Sequence, residues 1–164
     1  MPISQRNKQI IDKLKKSDLT NYDNLYLIFQ TARNVLNEDG DIEEAMKIAD
    51  NVKRISQKLA CSGKQFFDLY NKCLLFRAPY YFDDYLLYLE KNRQYKDMFY
   101  LPKRKQFMKL GLIQLMQDLE DDKLDIVSIS LPPGTGKTTL EKFFATWVIG
   151  RHPDDYNLFF SHSG

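Results

Sequence analysis

Between Ile126 and Gly150 the chain reads IVSISLPPGTGKTTLEKFFATWVIG, and few arrangements accommodate that order of residue types. A short β-branched run enters a loop of Pro and Gly, and Lys-Thr-Thr then opens a helix, which is the layout of a phosphate-binding loop. Phosphates need several N–H donors converging on a small volume, a mobile positive charge, and a backbone that approaches without side-chain obstruction. Gly134 and Gly136 permit the approach, with Thr135 between them. Lys137, the candidate catalytic residue, can reach the β and γ phosphates, and the helix that follows adds the positive end of its dipole. Thr138 offers a hydroxyl to a bridging Mg²⁺, and Thr139 a further donor near the α phosphate. The eight-residue pattern G-x-x-x-x-G-K-[ST] would put its first Gly where this chain has Leu131, so the strict motif fails at one position. An ordinary Gly-rich turn is the competing reading.

The surroundings suggest how the loop is mounted. Ile126 to Leu131 has the composition of a strand buried in a parallel sheet, and Asn157 to Ser161, NLFFS, that of a second. With the helix from Lys137 between them, closed by Gly150 as a left-handed stop, they predict a βαβ unit with a right-handed crossover. Two strands alone would expose most of their hydrogen-bonding edges and leave Phe143, Phe144 and Trp147 incompletely covered, so poor stability in isolation is expected.

The first hundred residues read as helices. Ile3, Ile10, Ile11 and Leu14 mark a first, and Leu25, Tyr26, Phe29, Ala32 and Leu36 a second that stops at Asn37-Glu38-Asp39-Gly40. Asp41 and Glu44 form a capping pair for a third, carrying Ile42, Ala45, Met46, Ala49, Val52, Ile55 and Leu59 at helical spacing. Ser62 with Gln65 caps a fourth, on which Phe66, Leu69, Tyr70, Cys73 and Leu74 recur. Pro79 suits the first turn of the next, which presents Phe82, Tyr85, Leu86 and Leu89. The aromatic run Tyr80, Tyr81, Phe82, Tyr85 and Tyr88 could stack bases or form a peptide groove, but helical spacing favours a core or an interface. Pro102 and the basic Lys103-Arg104-Lys105 mark a change of character, followed by one helix from about Lys103 to Leu119. The expected fold class is therefore α/β: a mostly helical module over 1–100, then the first βαβ unit of a P-loop NTPase fold over 101–164.

Composition narrows the function classes. With 43% hydrophobic and 13% aromatic residues in 164, the chain can bury a core and is not disordered. A net charge of +2, its small excess lying in residues 1–100, does not by itself mark a nucleic-acid binder. The start has neither the apolar core nor the cleavage site of a secretory signal, and no stretch of about 18 apolar residues occurs. A soluble, intracellular protein is expected. Cys61 and Cys73 have no C-x-x-C partner or nearby His pair, so Cys73, on an apolar stripe, reads as a buried thiol.

From Pro79 to Gly164 the chain resembles the amino-terminal part of tailed-phage and prophage terminase large subunits. The likeness lies in YYFDDYLLYLEKNRQYKDMFYLPKRKQF and LIQLMQDLEDDKLDIVSISLPPGTGKTTLEKFFATWVIGRHPDDYNLFFSHSG. Its most specific parts are SLPPGTGKTTL, the Trp147 helix, the Gly-Arg-His-Pro turn and Ser161-His162-Ser163. Loops lacking the first glycine but keeping Pro-Pro are familiar in that family. The resemblance implies an ATPase that threads double-stranded DNA into a preformed capsid, joined to a nuclease. Its partners would be a portal protein and a small terminase subunit, and its place the cytoplasm of a bacterial host and, transiently, the procapsid portal, with no membrane involved. ATP and Mg²⁺ are the implied cofactors, held by Gly134, Thr135, Gly136, Lys137, Thr138 and Thr139, with Thr138 on the metal. An upstream Gln often reads adenine in that family, which makes Gln106 the candidate, against a plain helix-surface Gln. The sequence departs from the family in having Lys137 as the only positive charge inside the loop. It also lacks the acidic ATPase strand and the nuclease domain, as an amino-terminal fragment would. A clamp-loader or helicase-like ATPase fragment, and a non-catalytic helical adaptor that binds portal or DNA, are the competing readings.

Overall fold

The computed structural model describes residues 4–156, and the chain divides into two compact units, Met1–Arg77 and Ala78–Gly164. The change of character near Pro102 falls inside the second. Eight α-helices are present among the described residues: α1 (Gln5–Lys15), α2 (Tyr22–Asn34), α3 (Ile42–Leu59), α4 (Lys64–Arg77), α5 (Phe82–Glu90), α6 (Tyr100–Lys109), α7 (Leu112–Glu120) and α8 (Lys137–Arg151). No helix among them is long and apolar enough to cross a membrane.

The first unit is built from α1 to α4. Asn21 caps α2 through its side chain, and Asp41 caps α3 by accepting from Glu44 N at 3.0 Å, as the spacing of that pair predicts. After α2 the chain widens into a single π-turn over Val35–Asp39 and leaves through Gly40 at φ 66°. Asp39 accepts from Asn7 Nδ2 at 2.8 Å and from Ser4 N at 3.2 Å, which fixes α1 to the end of α2. Leu25, Phe29, Val52, Phe66, Leu69 and Cys73 make the core, so Cys73 is indeed a buried thiol. The fourth helix begins at Lys64, where Phe66 N bonds to Gly63 O.

One polar cluster holds α3 to α4. Arg77 is buried, donates to Met46 O at 2.5 Å and pairs with Asp50 at 3.4 Å. Asp50 also meets Lys53 at 3.0 Å and Arg54 at 2.7 Å. A guanidinium withdrawn from water needs both partners, because an uncompensated buried charge is strongly destabilising.

The second unit corrects the expected α/β class. No strand occurs among its described residues, and NLFFS from Asn157 lies outside them. Residues 126–131 are extended and alternate in exposure, with Ile126 85% exposed and Val127, Ile129 and Leu131 turned inward. They form no ladder: with no second run of described residues beside them, their backbone has nothing to pair with, and Ile129 and Leu131 rest on helices instead. Among the described residues this part of the chain is therefore all-helical. Those helices cover the apolar face that two strands alone were expected to leave incompletely covered. Trp147 and Leu140 are buried with Phe82, Leu86, Tyr100, Phe107, Leu112, Ile113 and Met116, and Phe143 and Phe144 pack against them. The Trp147 indole donates to Ala78 O at 2.7 Å.

Three further sequence expectations shift. The single helix from Lys103 breaks into α6 and α7 because Gly111 takes φ 70°. Pro79 lies in the turn before α5, whose N-terminus is capped from α7: Gln117 Oε1 accepts from Phe82 N at 2.9 Å while its Nε2 donates to Tyr80 O at 3.1 Å. Gly150 is helical, and α8 runs on to Arg151. In the aromatic run, Phe82 is fully buried and Tyr85 packs against the core, which fits the packing role better than a stacking platform.

Burial raises the Asp50 carboxyl pKa, but the Lys53 hydrogen bond and the charges of Lys53, Arg77 and Arg54 outweigh it and hold it below the ordinary carboxylate value. A depressed folded-state pKa gives stability that is fully present above the unfolded value, about 3.9, and lost as pH falls through the folded value. Thermal melts followed by circular dichroism should therefore drop in midpoint below about pH 4. Asp50→Asn should lower the midpoint at pH 7, in line with about 1.5–3 kcal/mol for a hydrogen bond to a charged group, and shrink the acid-induced drop.

Candidate phosphate-binding loop

The loop Leu131–Thr139 depends on how α6 is placed. Tyr100 N, Phe99 N and Leu101 N, amide donors at the start of that helix that have no partner within it, all point at one carboxylate, Glu90 at the end of α5. Its Oε1 accepts from Phe99 and Tyr100 at 2.5 and 2.7 Å, and its Oε2 from Leu101 at 2.8 Å. A helix N-terminus normally finds such an acceptor at its own N-cap, but Phe99 has none to offer. One helical turn along, Arg104 forks onto Asp83 at 2.8 and 2.7 Å, and the Tyr100 hydroxyl donates to the same carboxylate at 2.5 Å. Burial, followed by the Asp83 charge, pushes the Tyr100 phenol far above its ordinary pKa, so it remains a donor.

Held in this way, α6 presents Phe99 and Lys103 to the loop. Gly136, at φ 93°, is the N-cap of α8, and a Cβ there would lie 2.5 Å from Phe99 Cε2 and 3.0 Å from Lys103 Nζ. The glycine is therefore required twice, by its left-handed backbone and by the aromatic ring against its Cα. Gly134 is also left-handed, at φ 79°, but faces open space. Thr135 closes the turn by donating its hydroxyl to Pro132 O at 3.0 Å, and its carbonyl accepts from Lys103 Nζ at 3.3 Å.

The loop encloses a concavity of about 350 Å³ lined by Leu131 to Thr139. Gly134, Thr135, Gly136, Lys137, Thr138 and Thr139 are all in the lining. No carboxylate lines it, and no side chain caps the N-terminus of α8. Lys137 is partly buried and makes no ion pair or hydrogen bond with the described residues. Gln106 is exposed on α6 and is not part of the lining. The residues fit the polyphosphate of a nucleotide, with open glycine backbone, an uncapped helix N-terminus and an unengaged ammonium. Thr138 is exposed in the first turn of α8, and no group of three or more His, Cys, Asp or Glu side chains is arranged for a metal among the described residues. Thr138, through its hydroxyl, is the loop side chain that would hold a Mg²⁺.

Sequence reasoning missed Glu90, Phe99 and Lys103. Lys103 stood in the basic Lys103-Arg104-Lys105 cluster, but nothing local tells which of the three turns to the loop. The Gly-Arg-His-Pro turn, by contrast, is structural: Arg151 and His152 meet Glu120 at 3.3 and 2.8 Å, and Arg151 covers the Trp147 ring. Comparison with protein-family models, with curated proteins and with solved structures gives no match.

Two substitutions separate backbone strain from crowding in this loop. Gly134→Ala should cost about 1–2 kcal/mol, the penalty for an L-residue in the left-handed region. Gly136→Ala must also displace Phe99, and should lower the midpoint of denaturant unfolding visibly further. Glu90→Ala leaves buried amides without an acceptor and should cost about 1–3 kcal/mol or more, whereas Glu90→Gln, which keeps one oxygen, should cost less.

Proposed function

We propose that the loop binds the polyphosphate of a nucleoside triphosphate, ATP with Mg²⁺, in a chain that serves a DNA-packaging motor of the terminase type. The observation that carries this reading is the conjunction at Gly136–Lys137: a left-handed glycine turn feeding an uncapped 15-residue helix whose first residue is an unengaged lysine. Amides of the loop and of the first turn of α8 would grip phosphate oxygens, and Lys137 would neutralise the terminal phosphates. When bound, the Mg²⁺ would offset charge on the transferring phosphoryl group. Gln106 lies one turn after Lys103 on the same helix and is the candidate for contact with the base. Double-stranded DNA, a portal protein and a small terminase subunit are the proposed partners, in the cytoplasm of a bacterial host.

A second reading, nucleotide or phosphate binding without turnover in a helical adaptor, is favoured by the lining of the loop. It contains no carboxylate to orient an attacking water.

Titration of MgATP into the purified chain tests the first step. Lys137→Ala should weaken binding by about tenfold to a hundredfold, the loss of one or two charge-assisted hydrogen bonds. Unchanged affinity would remove the phosphate-loop reading. Binding by the wild type without phosphate release would support the adaptor reading over the motor.

A further inference from the structure

Lys103 stands outside the loop in sequence yet touches it in space, and the loop's own motif does not account for it. Its ammonium donates to Thr135 O at 3.3 Å and lies 4.9 Å from the centre of the Phe99 ring. Both partners are neutral, and Lys103 has no ion pair among the described residues. Neighbouring Arg104 is engaged by Asp83, so the two basic residues are sorted to opposite tasks.

Which way the Thr135–Gly136 peptide faces matters for an anion. The Thr135–Gly136 peptide is trans, so the C=O of Thr135 and the N–H of Gly136 point in opposite directions from one peptide plane. With the carbonyl turned to Lys103 on α6, the amide is turned away from α6. Gly136 also lines the concavity. A cation on the carbonyl oxygen withdraws electron density through the conjugated peptide and makes the N–H a stronger donor, as in any hydrogen-bonded chain.

We infer that Lys103 is a positioning residue of the phosphate cradle: it fixes the Thr135–Gly136 peptide by its carbonyl, leaving the N–H turned away from α6 for phosphate, and adds a positive charge on the α6 side of the loop. The inference rests on the loop being a phosphate site, and names what completes it. The charge inside the loop comes from Lys137 alone, so the second cation comes from α6.

Inorganic tripolyphosphate, titrated calorimetrically into the full chain at low and moderate salt, reads the phosphate cradle without the base, and MgATP forms a parallel arm. Lys103→Met should weaken tripolyphosphate binding by about tenfold and flatten its salt dependence, because one positive charge near the cradle is lost along with the bond that orients its peptide. Lys103→Gln, which keeps a donor to Thr135 O but no charge, should fall between Met and wild type. Lys103→Arg should restore both affinity and salt dependence. A role in folding alone would move the thermal midpoint and leave the salt dependence intact. If Lys137→Ala loses binding while Lys103→Met keeps the affinity and salt dependence of the wild type, the inference about Lys103 is overturned and the loop reading stands. If the wild type binds neither ligand, both fall. Should Lys103→Met not fold, the contrast of Gln with Arg still decides: equal affinity in the two overturns the role of the charge.

Discussion

The carboxylate of Glu90 accepts three consecutive backbone amides, and the rest of the second unit depends on that one contact. Without it, the start of α6 would leave buried N–H groups unsatisfied, at about 1–3 kcal/mol each. With it, the end of α5 and the beginning of α6 are fixed within one residue, and Phe99 and Lys103 arrive at the loop in a defined place. Asp83 repeats the device one turn later, gripping Arg104 by a fork that a lysine could not reproduce. The two carboxylates of α5 thus convert a short helix into a rigid mount. The loop leans on that mount rather than on a sheet.

A phosphate-binding loop needs its two ends held, because its amides converge only when both the entering segment and the leaving helix are fixed. Here the entering run is anchored through Ile129 and Leu131 against the helical core, and the leaving helix through Leu140 and the Trp147 indole, bonded to Ala78 O. An extended segment lying on helices meets the requirement as far as side chains are concerned. Its backbone is another matter, since Ile126 is largely exposed and the residues around it pair with nothing among the described residues. The entering side of the loop is therefore the less constrained of the two.

The helices of the first unit were legible in the sequence because their signals are local. Asp41 with Glu44, the turn at Gly40 and the recurrence of Phe66, Leu69 and Cys73 are all set within a few residues of one another. The loop residues were legible for the same reason. The β reading of 126–131 failed because alternation reports only that one face is buried, while a strand exists through a partner that alternation does not specify. The seemingly continuous helix after Lys103 failed at Gly111, where a left-handed glycine outweighed an apolar periodicity that runs on through it. Glu90 was invisible: a cap delivered across 9 to 11 residues, through an intervening turn, leaves no pattern at either end.

Where local rules are broken without compensation, function is the usual reason. Partly buried lysines normally find a carboxylate, and this chain shows that it can provide one, since Arg77, Arg104 and Arg151 all have acidic partners close by. Lys103 and Lys137 are the exceptions at the loop. Lys137 borders a concavity that no acidic side chain lines among the described residues, and Lys103, on the α6 side of the loop, meets only a carbonyl and an aromatic ring, so the free protein carries two positive charges there that no carboxylate offsets. An anion that settles between the amides would offset them in the bound state only. A ligand bound by the folded state alone stabilises that state by an amount that grows with the logarithm of free ligand over Kd. Gly136, which lines the concavity, has Phe99 and Lys103 from α6 standing where a side chain would go. Neutralisation of charge at the loop and the position of α6 are therefore not independent: any shift of Lys103 toward phosphate must be accommodated by a helix that Glu90 and Asp83 hold in place.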